Sequence, residues 1–65
     1  MNKELQTIMR IMESLVKMNK WTVERFDIQG FNYGSGISGY AGYLHITGKN
    51  EHLVIRCDGS FEWLE

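Results

Sequence analysis

The stretch YAGYLHITGKNEHLVIRC, residues 40–57, holds two largely apolar segments on either side of a polar turn. Residues 40–47 alternate in the manner of a strand, and residues 52–57 are predicted to form the strand that pairs with them. If the intervening GKNE, residues 48–51, forms the loop, four aliphatic side chains share one face of a β-hairpin, namely Leu44, Ile46, Leu53 and Ile55. The predicted pairs are Thr47 with His52, Ile46 with Leu53 and Leu44 with Ile55.

The other face of this hairpin carries the predicted partner-binding surface. The same register places Tyr43 opposite Arg56, and both residue types are enriched at binding hot spots. His45 and Val54 flank this pair, and Tyr40 lies nearby. An ordinary cross-strand pair on a solvated face is the alternative interpretation of the same residues.

A last strand, residues 61–64, follows a turn whose length decides the register. A two-residue turn at 58–59 places Phe61 and Trp63 on the outward face. A three-residue turn at 57–59, ending in a left-handed glycine, places them with the aliphatic side chains instead. We favour the longer turn, because burying two large aromatic side chains beneath a helix contributes a few kcal/mol each.

Residues 2–18 show the periodicity of an amphipathic helix, with apolar residues three and four apart. The apolar arc covers about 180°, whereas packing on one surface requires about 100°. Either a small sheet curls around the helix and covers it, or a second surface packs there. A chain of 65 residues buries a small core, so oligomerisation is the expected supplement. The candidate oligomer-interface residues are Met9, Ile11, Met12 and Met18.

Residues 21–29 predict a first strand, whose apolar face changes side near Glu24 and Arg25. A β-bulge there would explain the change. A glycine-rich loop is predicted over residues 30–39. Together the elements predict an α+β two-layer sandwich formed by one domain, residues 1–65, with the N-terminal helix packed on a four-stranded antiparallel β-meander.

Within the loop, residues 34–39 spell GSGISG, which matches the GxGxxG pattern of dinucleotide-binding proteins. That site requires a helix after the glycines, whereas residues 40–47 alternate like a strand, so the context excludes it. Backbone N–H groups of glycine-rich turns can still bind an anion, and tyrosines can stack on a base. A plain connection between strands is the alternative. The candidate ligand-binding residues are Tyr33, Gly34, Ser35, Gly36, Ser38, Gly39 and Tyr40.

Composition and charge argue against several classes of function. The formal net charge is −1 and the basic residues are scattered, so nucleic-acid binding is not expected. No apolar run has the length of a membrane span, and no leader is apparent. The single Cys57 fits a reducing compartment, so a cytoplasmic protein is expected.

His45 and His52 are predicted as diagonal neighbours about 7–8 Å apart. Because Cys57 lies on the other face, no metal site or cofactor is predicted.

No nucleophile stands in a catalytic context, and the carboxylates that could serve acid–base catalysis are expected on the solvated surface, namely Glu24, Asp27, Glu62 and Glu65. The main hypothesis is therefore a non-enzymatic protein that occupies the surface of a host macromolecule as a homo-oligomer. In size and layout, though in no specific residue, the chain resembles small phage-encoded proteins that inhibit host defence or host enzymes. The resemblance implies an inhibitor acting in the host cytoplasm. The alternative hypothesis is a sponge protein that sequesters a nucleotide or cyclic-nucleotide signal through the glycine-rich loop and its tyrosines.

Overall fold

A computed structural model describes residues 2–32 and 38–65 of the chain. One helix is followed by a four-stranded antiparallel sheet whose strands lie side by side in chain order. The predicted α+β architecture is therefore confirmed. The elements are α1 (Lys3–Asn19), β1 (Val23–Asn32), β2 (Ser38–Ile46), β3 (His52–Arg56) and β4 (Phe61–Leu64).

Local hydrogen bonds close both ends of α1. Asn2 is the N-cap, and its Oδ1 accepts a hydrogen bond from the Glu4 N–H at 2.6 Å. At the other end Lys20 adopts the left-handed conformation, with φ 57° and ψ 40°. The N–H of Trp21 then donates to the carbonyl of Val16 at 3.1 Å, which satisfies one of the last helical carbonyls. The chain thus turns directly from the helix toward β1.

The core lies between α1 and the two middle strands, β2 and β3. One helical side chain, Ile8, is fully buried against the predicted aliphatic layer of the sheet. Cys57 is half-buried against this core, on the side that the sequence predicts. Phe61 and Trp63 lie on the helix side of the sheet, but they are 50% and 38% exposed. The prediction that the helix covers them is wrong, because α1 packs over the middle strands and β4 lies beyond it.

The helix side chains that sequence analysis assigned to an oligomer interface differ in exposure. Ile11 and Met12 are half-buried and pack against the core, and Met9 is also half-buried. Met18 is 76% exposed. The helix therefore leaves part of its broad apolar arc uncovered within the described part of the chain.

Gly42 of β2 allows the helix to approach the sheet closely. A Cβ atom at this position would lie 2.7 Å from Cγ2 of Ile8 and 2.7 Å from Cζ of Phe26. Side chains from α1 and β1 therefore occupy the space above this glycine. This close contact requires a residue without a side chain, which is glycine.

The pairing of β1 with β2 confirms the predicted bulge, because the register shifts between Val23 and Arg25. The two strands continue further than predicted, to Asn32 and from Ser38, so the predicted loop over 30–39 is too long. Glycines give no apolar signal, yet their backbones can pair. Gly30 pairs with Tyr40, whose ring lies against it, in the manner of an aromatic side chain covering a strand glycine.

The predicted register between β2 and β3 is wrong by two residues. Leu44 pairs with Leu53 and His45 with His52, so the loop is longer than four residues. The N–H of Thr47 donates to the carbonyl of Thr22 at 2.8 Å, so the end of β2 is bonded toward the β1 side. A shift of two residues leaves every side chain on its predicted face.

The turn between β3 and β4 confirms the predicted three-residue length. Ile55 pairs with Phe61, and Leu53 pairs with Trp63. The N–H of Arg56 donates to the Ser60 carbonyl at 2.8 Å, and the N–H of Gly59 donates to the Arg56 carbonyl at 3.1 Å. These bonds place Gly59 at a positive φ of 94°. The predicted left-handed glycine is thus present.

Replacing Gly59 with alanine tests the backbone requirement of this turn. No atom would lie within 4 Å of the added Cβ, so any effect comes from the positive φ alone. We expect Gly59→Ala to lower the free energy of unfolding by about 1–2 kcal/mol, measured by urea denaturation. Gly59→Asn should cost less, because asparagine tolerates left-handed backbone. Equal stability of Gly59→Ala and the unmodified chain would contradict this interpretation.

Candidate functional site

The outer face, defined as the side of the sheet away from α1, carries the candidate functional site. Cross-strand pairing arranges its side chains in rows across the sheet, two of which run from β1 to β4 and one from β1 to β3. Within the described ranges no helix covers this side. The rows are Arg25, His45, His52 and Leu64, then Asp27, Tyr43, Val54 and Glu62, and then Gln29, Ala41 and Arg56.

A hollow of about 320 Å³ lies on the outer face near the end of β3. Its floor is formed by Ala41 and Val54, which are only 5% and 4% exposed although no element covers them in the described part of the chain. Tyr43, Arg56 and Leu64 stand around this floor. The hollow therefore combines a small apolar floor with an aromatic and cationic rim.

A second hollow, of about 250 Å³, lies beside the loop between β2 and β3. It is lined by Lys49, Asn50, Glu51 and Trp63, all of which are exposed. Because this hollow lacks a buried floor, it is a weaker candidate than the one on the outer face.

Next to the outer-face hollow, two histidines stack on each other. His45 and His52 are direct cross-strand neighbours, with ring centroids 5.0 Å apart and an interplanar angle of 20°. The predicted diagonal arrangement is wrong, because it depended on the shifted register. Tyr43 extends the stack on one side, its ring 5.9 Å from His52, and Arg25 extends it on the other. Nη2 of Arg25 lies 3.2 Å from Nε2 of His45.

Ion pairs neutralise much of the charge on the outer face. Arg25 Nε lies 2.7 Å from Asp27 Oδ2, and Arg56 forms an ion pair and hydrogen bond with Glu62. Exposed pairs of this kind contribute little to stability. They do leave the face without a strong field of either sign, which suits a protein surface better than a polyanion.

The turn at the edge of the hollow is held by Asp58. Its carboxylate accepts a hydrogen bond from the Ser60 hydroxyl at 2.6 Å and another from the Ser60 N–H at 2.9 Å. These bonds hold the pKa of the Asp58 carboxyl below its ordinary value, and the bond from the Ser60 hydroxyl has the largest effect. The nearby charge of Arg56 acts in the same direction.

This lowered pKa predicts a pH dependence. A carboxyl whose pKa is lower in the folded state contributes stability above its unfolded pKa of about 3.9, and loses it as pH falls through the folded value. We expect the difference in melting temperature between the unmodified chain and Asp58→Asn to be largest above about pH 4 and to shrink in more acidic solution. A difference that stays constant over this range would contradict the assignment.

The structure brings together most of the predicted partner-binding residues, though not in the predicted pairs. Tyr43 pairs with Val54, and Arg56 pairs with Ala41, so Tyr43 opposite Arg56 is wrong. Both side chains nevertheless border the same hollow. Tyr40 also lines the hollow, although it packs against the core on the helix side.

Sequence reasoning missed four residues that line the hollow. Ala41 and Leu64 occupy outer-face positions, and Cys57 and Asp58 belong to the turn. The favoured register of β4 already places Leu64 on the outer face, because Leu64 lies two residues from Glu62 and so shares its face. Ala41 has a side chain too small to give any signal.

The candidate ligand-binding loop lies mostly outside the described residues. Residues 33–37, which include Tyr33, Gly34, Ser35 and Gly36, are not described. Ser38, Gly39 and Tyr40 belong to β2. Nucleotide binding through this loop stays a prediction.

No protein-family model, curated protein or solved structure matches this chain.

Two further observations concern the described part of the chain alone. Over residues 2–32 and 38–65, no group of three or more histidine, cysteine, aspartate or glutamate side chains is placed to hold a metal ion. Those ranges contain no helix that is both long and apolar enough to cross a membrane.

Proposed function

We propose that this chain is a small non-enzymatic binding protein that uses the outer face to occupy the surface of a macromolecular partner. The observation that carries the proposal is the hollow with Ala41 and Val54 as its floor and Tyr43 and Arg56 on its rim. Such a floor can accept an apolar or aromatic side chain, and tyrosine and arginine around it can exclude water from the contact.

The charge distribution supports a protein as the partner. The two acidic side chains of the outer rows, Asp27 and Glu62, are each paired with an arginine. A partner surface can therefore approach without meeting an excess of one charge. If the partner is an enzyme or a host-defence protein, occupation of its surface would make this chain an inhibitor, as its general resemblance to small phage-encoded proteins implies.

Affinity capture from a native lysate tests the proposal. The tagged chain should retain a protein partner, and the double variant Tyr43→Ala/Arg56→Ala should lose it, because both rim side chains are removed. The variant Arg10→Ala/Lys17→Ala is the matched control, since it removes two exposed side chains from α1 and leaves the sheet unchanged. Circular dichroism should be the same for both variants.

Retention of the same partner by Tyr43→Ala/Arg56→Ala, at the level of the control variant, would remove the outer face as the contact surface.

A further inference from the structure

The two edges of the sheet differ in their protection against pairing with another strand. The β1 edge has a bulge near Arg25 and carries Glu24 and Asp27 as further charges, and both features discourage edge-to-edge pairing. The other edge, β4, has no register shift against β3. Its four residues are all exposed, and Glu62 is its one charged side chain.

The backbone of β4 presents hydrogen-bonding groups to the outside. The bond from the Arg56 N–H to the Ser60 carbonyl fixes the alternation of the β3–β4 ladder. In antiparallel pairing, successive residues point their N–H and C=O groups toward and then away from the neighbouring strand. The backbone N–H and C=O groups of Glu62 therefore point toward β3, whereas those of Phe61 and Trp63 point away from it.

The side chains of β4 leave apolar surface on both faces of this edge. On the helix side, Phe61 is 50% and Trp63 is 38% exposed, and on the outer face Leu64 is 39% exposed. Contiguous exposed apolar side chains on an unprotected edge are typical of a strand that pairs with another chain.

We propose that this chain forms a twofold-symmetric homodimer in which β4 pairs antiparallel with β4 of a second copy, joining the two sheets into one. The inference specifies the self-association that the sequence predicts, and it places the interface on β4 instead of the helix. It does not depend on the partner-binding role of the outer face.

Side-chain charge selects the register of this pairing. With Trp63 opposite the partner's Trp63, Glu62 lies opposite the partner's Leu64, and the outward backbone groups of Trp63 bond across the axis. The neighbouring register with the same faces would place Glu62 opposite the partner's Glu62, and like charges directly opposite each other destabilise a sheet. The first register avoids this contact and gives an aromatic pair at the centre.

The layout of the layers leaves room for these aromatic side chains. Strands lie about 4.8 Å apart, and α1 covers β2 and β3, so the two helix axes of the dimer would be about 20 Å apart. Packed helices are only about 8–10 Å apart. The space between the helices can therefore hold Phe61 and Trp63 of both copies.

Sedimentation velocity over a micromolar concentration series tests the dimer and its register. The unmodified chain should show a concentration-dependent monomer–dimer equilibrium. Leu64→Glu places a carboxylate opposite the partner's Glu62 twice per dimer, whereas Leu64→Lys places an ammonium there. We expect the dissociation constant of Leu64→Glu to be about tenfold or more above that of Leu64→Lys.

Matched variants separate this interface from other surfaces. Met18→Lys adds a charge to the exposed side chain of the helix and should leave the dimer unchanged. Tyr43→Ala should also dimerise normally, so failure of partner capture and failure of dimerisation are distinguishable. Circular dichroism melts confirm that each variant is folded.

Three results would overturn the proposal. The first is a strictly monomeric unmodified chain over the whole series. The second is equal dimerisation of Leu64→Glu and Leu64→Lys. The third is a dimer that Met18→Lys dissociates and Leu64→Glu does not, which would place the interface on the helix.

Discussion

Replacing Gly42 with alanine is expected to lower the free energy of unfolding by about 1–3 kcal/mol, the usual cost of overpacking a core. The added Cβ would lie 2.7 Å from Cγ2 of Ile8 and 2.8 Å from Cε1 of Phe26, so side chains on two elements must move. A domain of this size has only about 3–5 kcal/mol of net stability. The substitution should therefore shift the urea midpoint far toward lower concentration.

Gly30→Ala is the matched control for this substitution. Both glycines lie in paired strands, but the nearest atom to a Cβ at Gly30 is Cε1 of Tyr40 at 3.5 Å, an ordinary contact. We expect its effect to stay within about 0.5 kcal/mol. Equal destabilisation by Gly30→Ala and Gly42→Ala would show that loss of glycine as such, and not close packing under α1, is responsible.

Truncation of Ile55 to alanine is expected to destabilise the chain strongly. This side chain is fully buried in the core under the helix. Removing a buried isoleucine side chain to alanine costs about 2–5 kcal/mol, through lost burial and the cavity left behind. Much of the chain should therefore be unfolded at room temperature, as measured by circular dichroism.

Ile28→Ala provides the comparison, because Ile28 is the same residue type on the same side of the sheet and is 37% exposed. Its truncation should cost about 1 kcal/mol or less. A similar loss of stability from both truncations would mean that the helix covers β1 as fully as it covers β3.

The alternation of side chains along a strand explains what the sequence could predict about the fold. Alternation with a period of two assigns each side chain to a face, and it did so correctly for Leu44, Leu53 and Trp63. A shift of two residues keeps every side chain on the same face, so alternation alone cannot fix the register between β2 and β3. The loop length had to decide it, and Thr47 bonds toward Thr22 instead of closing the predicted loop.

Coverage by the helix was harder to predict, because a sequence pattern gives a face and not a lateral position. Phe61 and Trp63 belong to the correct face, but nothing in their spacing shows that α1 stops short of β4. The same limit applies to Gly42. A glycine inside an alternating segment suggests close approach in general. It does not identify Ile8 and Phe26 as the groups that approach.

The candidate site was predictable in composition and not in arrangement. Tyr43, Val54 and Arg56 share the outer face as the sequence indicates, since parity determines this. Their hollow depends on Ala41 lying opposite Arg56, which required the actual register. The small side chain of Ala41 beside those of Tyr43 and Arg56 leaves the hollow open. Alternation could not predict where Ala41 lies relative to Arg56.

The contact between Trp21 and Trp63 joins the segment after α1 to the last strand. Their ring centroids are 5.5 Å apart with an interplanar angle of 80°, and they are the two tryptophans of the chain. Indole transitions at this separation couple, so we expect the folded chain to show an exciton signal in its circular dichroism spectrum. The unlabelled chain would thus have an optical signal for the moment when the segment after α1 meets the last strand, and stopped-flow measurements can time this event without any dye.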